Sequence, residues 1–138
     1  MTYPSPGVSF TENLICGASP RMPVSIFIAM PSDTNPDGDV FGGIIFSQMD
    51  LAAGSVASKR AQGRTVTIAV DGFKFLSPVF VGDKVIIYAD ITKTGTTSIT
   101  IKVCAYAERG HTEYQEKVTE AVFTFVKIGL DRRPKPLP

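Results

Sequence analysis

With 138 residues, 43% of them hydrophobic, the chain is long enough to close one core and too short to expect two. Its 14 Lys plus Arg against 13 Asp plus Glu leave a formal charge of +1, which offers no basic field for neutralising phosphates and excludes nucleic acid as the expected partner. No run approaches the about 18 apolar residues of a bilayer crossing, and MTYPSPGVSFTENLICGASPR has no basic region followed by an apolar stretch, so the sequence predicts a cytoplasmic protein without a membrane partner.

Residues 1–20 hold Pro4, Pro6, Gly7, Gly17 and Pro20 and read as a loosely ordered arm. MPVSIFIAM, residues 22–30, reads as a first strand that stops before Pro31, and the turn-rich PSDTNPDGD follows. GGIIFSQMDLAAGSVASKR, residues 42–60, predicts a helix about 28 Å long, with apolar side chains on most sides, hence enclosed rather than laid on a surface. After Gly63 the pattern turns to β-branched and aromatic runs at 64–76, 83–94, 97–109 and 113–128, with hairpin turns at Gly95 and Gly110. Cys104 lies within one of these runs, where a small buried thiol is the expected role rather than a disulfide with Cys16. The end, DRRPKPLP, is a Pro-broken basic tail. The expected fold class is α+β, a long antiparallel curved sheet wrapped around one central helix, with an arm at 1–20, one domain at 21–130 and the tail at 131–138.

Most familiar chemistries fail on these residues. Asp33, Asn35, Asp37 and Gly38 imitate the opening of an EF-hand loop, but its twelfth position is Ile44 where a bidentate Glu is needed. No G-x-S-x-G elbow or phosphate-binding glycine loop is present, and the single histidine, His111, sits in a predicted turn. One His and two separated Cys supply no zinc site, so no metal is expected. What remains is NPDGDVFGG and the acid that follows it. Asp39 fits a helix-start residue that caps free N–H groups, with Gly42 and Gly43 as close-packing positions. Asp50 fits less easily, because a charge halfway along an apolar helix costs several kcal/mol unless it is paired or faces a wet pocket.

AMPSDTNPDGDVFGGIIFSQMDLAAG, together with FLSPVFVGD, KTGTTS and TEAVFTFV, resembles the YciA-like acyl-CoA thioesterases of the hotdog fold, over residues 26–126. The resemblance implies a hotdog domain that hydrolyses acyl-CoA to a free acid and CoA, assembled as dimers and often as three dimers in a hexamer. It implies that Asp50 is the helix carboxylate acting as base or nucleophile, that Asn35 and Asp39 are polar loop positions beside the thioester, and that the Gly42 amide binds its carbonyl oxygen. Two positions depart from the pattern: Ser77 stands where many relatives carry Arg, and Gly54 has no hydroxyl one turn after Asp50.

Thioester hydrolysis needs an activated water and fixed donors for a developing oxyanion, which Asp50 and the Gly42 and Gly43 amides suit. Gly42 and Asp50 are separated by about 12 Å along one helix axis, whereas base and donor must both reach one reacting group, so both act in one site only if they come from two antiparallel helices across a two-fold axis. Lys93, Thr96, Thr97 and Ser98 in the predicted turn are candidate contacts for the pantetheine or phosphates, with Arg64 among several basic candidates and Phe41, Ser47 and Ser77 completing the substrate-contacting set. Coenzyme A enters as part of the substrate and no separate cofactor is expected. A hydratase or dehydratase would need an acid-base partner such as His beside the carboxylate, and a non-catalytic acyl-CoA-binding protein would keep the loop and glycines for packing alone.

Overall fold

A computed structural model describes residues 22–138; the expected arm at 1–20 and Cys16 lie outside the described residues. Strand β1 (Ser25–Ile28) is followed by one 3-10 turn (Pro31–Asp33), helix α1 (Gly42–Ala61), and strands β2 (Thr65–Phe75), β3 (Lys84–Thr94), β4 (Ser98–Glu108) and β5 (Gln115–Lys127). The five strands form one sheet in the order β1-β3-β4-β5-β2, every pairing antiparallel. β3, β4 and β5 follow one another through hairpins, while the helix carries the chain from β1 at one edge to β2 at the other. The first strand is shorter than the apolar run 22–30 suggests, because only Ser25–Ile28 find register partners, on β3.

α1 presents Ile45, Met49, Ala52, Ala53 and Ala57 to the sheet, a spacing that puts them on one helical face. Three of the five are alanine, which lets the helix axis come close to the strands. Facing them are inward residues at alternating positions of the adjacent strands β3, β4 and β5, among them Ile87, Ile99, Ile101, Val103 and Phe123. This is the α+β arrangement expected from the sequence, one helix against a five-stranded antiparallel sheet.

The expectation of an enclosed helix is corrected: Leu51 is 67% exposed and Phe46 36%. The edge strand β2 also leaves large apolar side chains exposed, Ile68 at 57% and Phe75 at 58%. An apolar position in sequence records that something covers it, without distinguishing the chain's own sheet from a second copy. Cys104 is fully buried, as expected. The last residues fold back: the Leu137 amide donates to the Thr96 carbonyl at 2.8 Å, Lys135 to Lys127 at 2.9 Å, and Arg60 Nη1 to the Pro138 carbonyl at 3.0 Å. Among the described residues no helix is long and apolar enough to cross a membrane.

Candidate active site

The segment before the helix is closed by Asn35. Its side-chain Oδ1 accepts from the amides of Asp37 at 3.0 Å and Asp39 at 3.1 Å, while its own amide donates to the Asp39 carbonyl at 2.7 Å. Gly38, at φ +89°, supplies the left-handed residue the tight return needs. The Phe41 amide then donates to the Asp33 carbonyl at 2.7 Å, which delivers the chain onto the first helical turn. The predicted cap is corrected here: Phe41 is the N-cap residue, and among the described residues no side chain caps the helix. The Asp39 backbone is held in the loop bonds instead, and the Gly42 and Gly43 amides have no partner among the described residues. The helix therefore begins with free donors at the positive end of its dipole.

Asp39 and Gly42 line a cavity of about 600 Å³ with Val40, Ile45 and a wall formed by residues 75–80. Exposed rings crowd both glycines. A Cβ on Gly42 would stand 2.7 Å from Phe75 Cζ, and one on Gly43 2.7 Å from Phe41 Cε2.

Two turns along α1, Asp50 is half-buried and its Oδ1 accepts a hydrogen bond from Thr67 Oγ1 at 2.7 Å. The carboxylate faces a second cavity of about 400 Å³, lined also by Leu51, Gly54, Ser55, Ser58, Thr65 and Phe125. In one chain the expected apolar surroundings of Asp50 are thus only part of the picture, since β2 and the helix bring hydroxyls to it. The hydroxyl missing at Gly54 is supplied across the gap by Thr67. A Cβ at Gly54 would sit 3.7 Å from Phe125, an ordinary contact, so its glycine leaves the floor of this cavity open. The two cavities share no residue.

Residues 37–114 match the family model of the thioesterase superfamily. The acyl-CoA thioester hydrolase YciA of Salmonella typhimurium is 46% identical over 114 residues, covering 80% of this chain and 86% of its own length. The chain belongs to the thioesterase superfamily. The crystal structure of the hexameric thioesterase y2039 from Yersinia pestis superposes with a TM-score of 0.81 at 45% identity, covering 85% of this chain and 95% of that one. Cj0915, a hexameric hotdog fold thioesterase of Campylobacter jejuni, superposes with a TM-score of 0.78 at 39% identity, covering 84% and 90%. The fold is the hotdog fold anticipated from the sequence.

The remaining candidates of this thioesterase-superfamily chain are distributed unevenly. Ser77 belongs to the wall of the helix-start cavity, but its hydroxyl donates to Glu116 Oε2 at 2.9 Å. Ser47 is exposed on α1 and donates to the Ile44 carbonyl at 2.9 Å, and Phe41 is exposed beside Gly43. Arg64 is exposed, and its carbonyl accepts from the Ile128 amide at 2.9 Å. The turn with Lys93, Thr96, Thr97 and Ser98 enters neither cavity; the carbonyls of Thr96, Thr97 and Ser98 accept from Leu137, Lys127 and Gly95. His111 is exposed in the β4–β5 turn, outside both cavities of the single chain. Sequence reasoning missed Thr67, which is 17 residues from Asp50 and reaches it only because β2 runs beside the helix, and Phe75, whose ring covers Gly42.

Proposed function

We propose that the chain hydrolyses acyl-CoA thioesters to a free carboxylic acid and CoA, at a site that two copies build together. One observation carries this: Asp50 and the uncapped helix start lie in separate cavities of one chain, about 12 Å apart along the helix axis, too far to act on the same carbonyl. An antiparallel pair of helices related by a two-fold axis brings the Asp50 of one copy to the Gly42 of the other and makes two equivalent sites. The exposed apolar residues Phe46 and Leu51 on α1 and Ile68 and Phe75 on β2 are surface for such a pair to cover. The similarity to thioesterases described as hexameric supports assembly, here read as a trimer of these dimers.

In that site the Asp50 carboxylate, oriented by Thr67, takes a proton from water, and the water oxygen attacks the thioester carbon. Negative charge develops on the carbonyl oxygen, where the Gly42 and Gly43 amides hold it at the positive helix end. Asn35, whose Oδ1 is committed to the loop, offers its side-chain N–H groups to the thioester, with Asp39 beside it. Collapse of the intermediate breaks the C–S bond, and CoA leaves as the thiol with the proton gathered at Asp50. Direct attack by the carboxylate, giving a mixed anhydride that water then opens, uses the same residues. No cofactor takes part, since coenzyme A belongs to substrate and product. The 93–98 turn and Arg64 lie toward the Asp50 end of the chain and are assigned to the distal part of CoA. A CoA ester as substrate places the work in the cytoplasm.

The test is thiol release from a panel of acyl-CoAs. Release at a rate that Asp50→Asn abolishes supports the reading. Hydration of an enoyl-CoA without thiol release, or binding with neither reaction, overturns it.

A further inference from the structure

Arg109, just past the end of β4, reaches the wall of the helix-start cavity from outside. Its Nε donates to Asp83 Oδ2 at 2.9 Å, Nη1 to Glu116 Oε1 at 2.7 Å and Nη2 to the Pro78 carbonyl at 2.6 Å, and its guanidinium carbon lies 4.8 Å from the Phe80 ring centroid. Asp83 is buried, and the same Oδ2 also accepts from the Phe80 amide at 2.9 Å, inside the turn that the Asp83 amide closes on the Phe80 carbonyl at 3.0 Å. Gly82 at φ +92° gives that turn its left-handed residue. Glu116 in turn accepts from Ser77. One guanidinium therefore ties Ser77 through Glu116, Pro78 directly, Phe80 through its ring, and the 80–83 turn through Asp83. Ser77, Pro78 and Phe80 line the cavity, and Arg109 does not.

We propose that Arg109 is a positioning residue that sets the width of this cavity, and with it which acyl groups fit beside the Gly42 amide; the selectivity part rests on the thioester-hydrolase reading above. Among the described residues, the wall between Leu76 and Asp83 has no strand partner. Its backbone is held at the ends, by the Leu76 amide on the Val118 carbonyl at 2.8 Å and by the Ala29 amide on the Asp83 carbonyl at 2.9 Å. The middle is held by side chains that converge on Arg109. The cavity face of this wall is mainly apolar, Leu76, Val79 and Phe80 about one hydroxyl, which suits a hydrocarbon tail rather than a phosphate. A guanidinium fits the role better than an ammonium, because its planar fork serves a carboxylate, a second carboxylate and a carbonyl at once. The Arg109 pKa supports the geometry: burial works to lower it, but the Glu116 hydrogen bond and the Asp83 charge outweigh burial and raise it.

The experiment uses the full chain and compares wild type, Arg109→Lys, Arg109→Gln and Glu116→Gln. Thermal melting establishes that each variant is folded, kcat and KM are measured across acyl-CoAs of increasing length, and backbone hydrogen exchange is followed over residues 77–83. The expected result is that Arg109→Gln flattens the dependence of kcat/KM on acyl length by about tenfold, through KM, with kcat on the shortest substrate within about threefold of wild type. Arg109→Lys and Glu116→Gln should fall between, with exchange at 77–83 rising in the same order. A folded Arg109→Gln enzyme with an unchanged length profile overturns the proposal, as does a KM increase equal for every acyl group. If wild type releases no thiol at all, the hydrolase reading fails instead, and exchange still decides whether Arg109 holds the wall: equal exchange in wild type and Arg109→Gln overturns the role.

Discussion

Thr67 gives Asp50 a fixed direction. A carboxylate that accepts one hydroxyl hydrogen bond keeps its second oxygen for water, and the bond holds the side chain toward the cavity rather than toward bulk solvent. Asp50→Asn retains an acceptor for Thr67 and so should fold and bind CoA normally while losing at least about two orders of magnitude in kcat, the scale of a positioned general base. Near wild-type turnover in a folded Asp50→Asn enzyme would reject the assignment. Thr67→Val removes the orienting bond without touching the base. It should lower kcat about tenfold with KM little changed, because the interaction lost acts on the reacting water rather than on the bound substrate. A change confined to KM would show instead that Thr67 contacts substrate.

At the scale of elements, the hydrophobic periods were strong enough to place one helix and the long strands within a residue or two, because a 20-residue helix and strands of 11 to 13 residues repeat their patterns many times. The short β1 carries few repeats, and its place beside β3 is a long-range pairing that no local pattern encodes. The candidate site was legible where chemistry is unusual locally, as with an acid inside an apolar helix and a glycine pair at its start. It was illegible where the partner is an ordinary Thr or Phe made special by an adjoining strand. Phe75 illustrates this. Its ring is wedged between Gly42 and Phe73, whose centroid is 5.0 Å away, so a methyl at position 42 must displace it. Gly42→Ala should cost no more than about 1 kcal/mol, because the exposed ring can swing aside, read as a slightly lowered Tm, and Phe75→Leu in the same chain should recover that loss. Independent, additive losses would mean the contact is not the source of the cost.

The ion-pair network at the same end of the sheet has a defined response to acid. The Arg109 hydrogen bond first, and the Ser77 hydroxyl second, hold the Glu116 carboxyl below the usual glutamate range. A carboxylate with a depressed folded pKa contributes stability above its unfolded value of about 4.3, and that contribution is lost as pH falls through the folded value. Arg109 is raised, so its contribution is lost only as pH climbs through its folded pKa, above any working range. Acid is therefore the vulnerable side. The Tm difference between wild type and Glu116→Gln should be present at neutral pH and shrink as pH falls below the unfolded value and through the lowered folded one. A gap that stays constant would mean that Glu116 contributes through packing alone.

For the whole molecule, the exposed apolar residues on α1 and β2 and the two separated half-sites pose one geometric requirement. An exposed Leu51 and Phe46 beside an unpaired edge strand would favour association in any case, but association through an arbitrary surface would not bring Asp50 to Gly42. Mixed assemblies separate these cases. Pro at position 42 deletes the amide while remaining compatible with the first helical position, provided Phe75 is trimmed to Leu to make room. A homodimer of that double variant has no oxyanion donor at Gly42, and an Asp50→Asn homodimer has no base. In the heterodimer one site carries both defects, whereas the other joins the intact Asp50 of the first chain to the intact Gly42 of the second. Purified heterodimers should therefore recover about half of the wild-type activity, because the working site uses a Gly42 beside its native Phe75, and random mixing about a quarter. A site contained in one chain predicts no recovery at all in folded heterodimers, since each chain then carries its own defect.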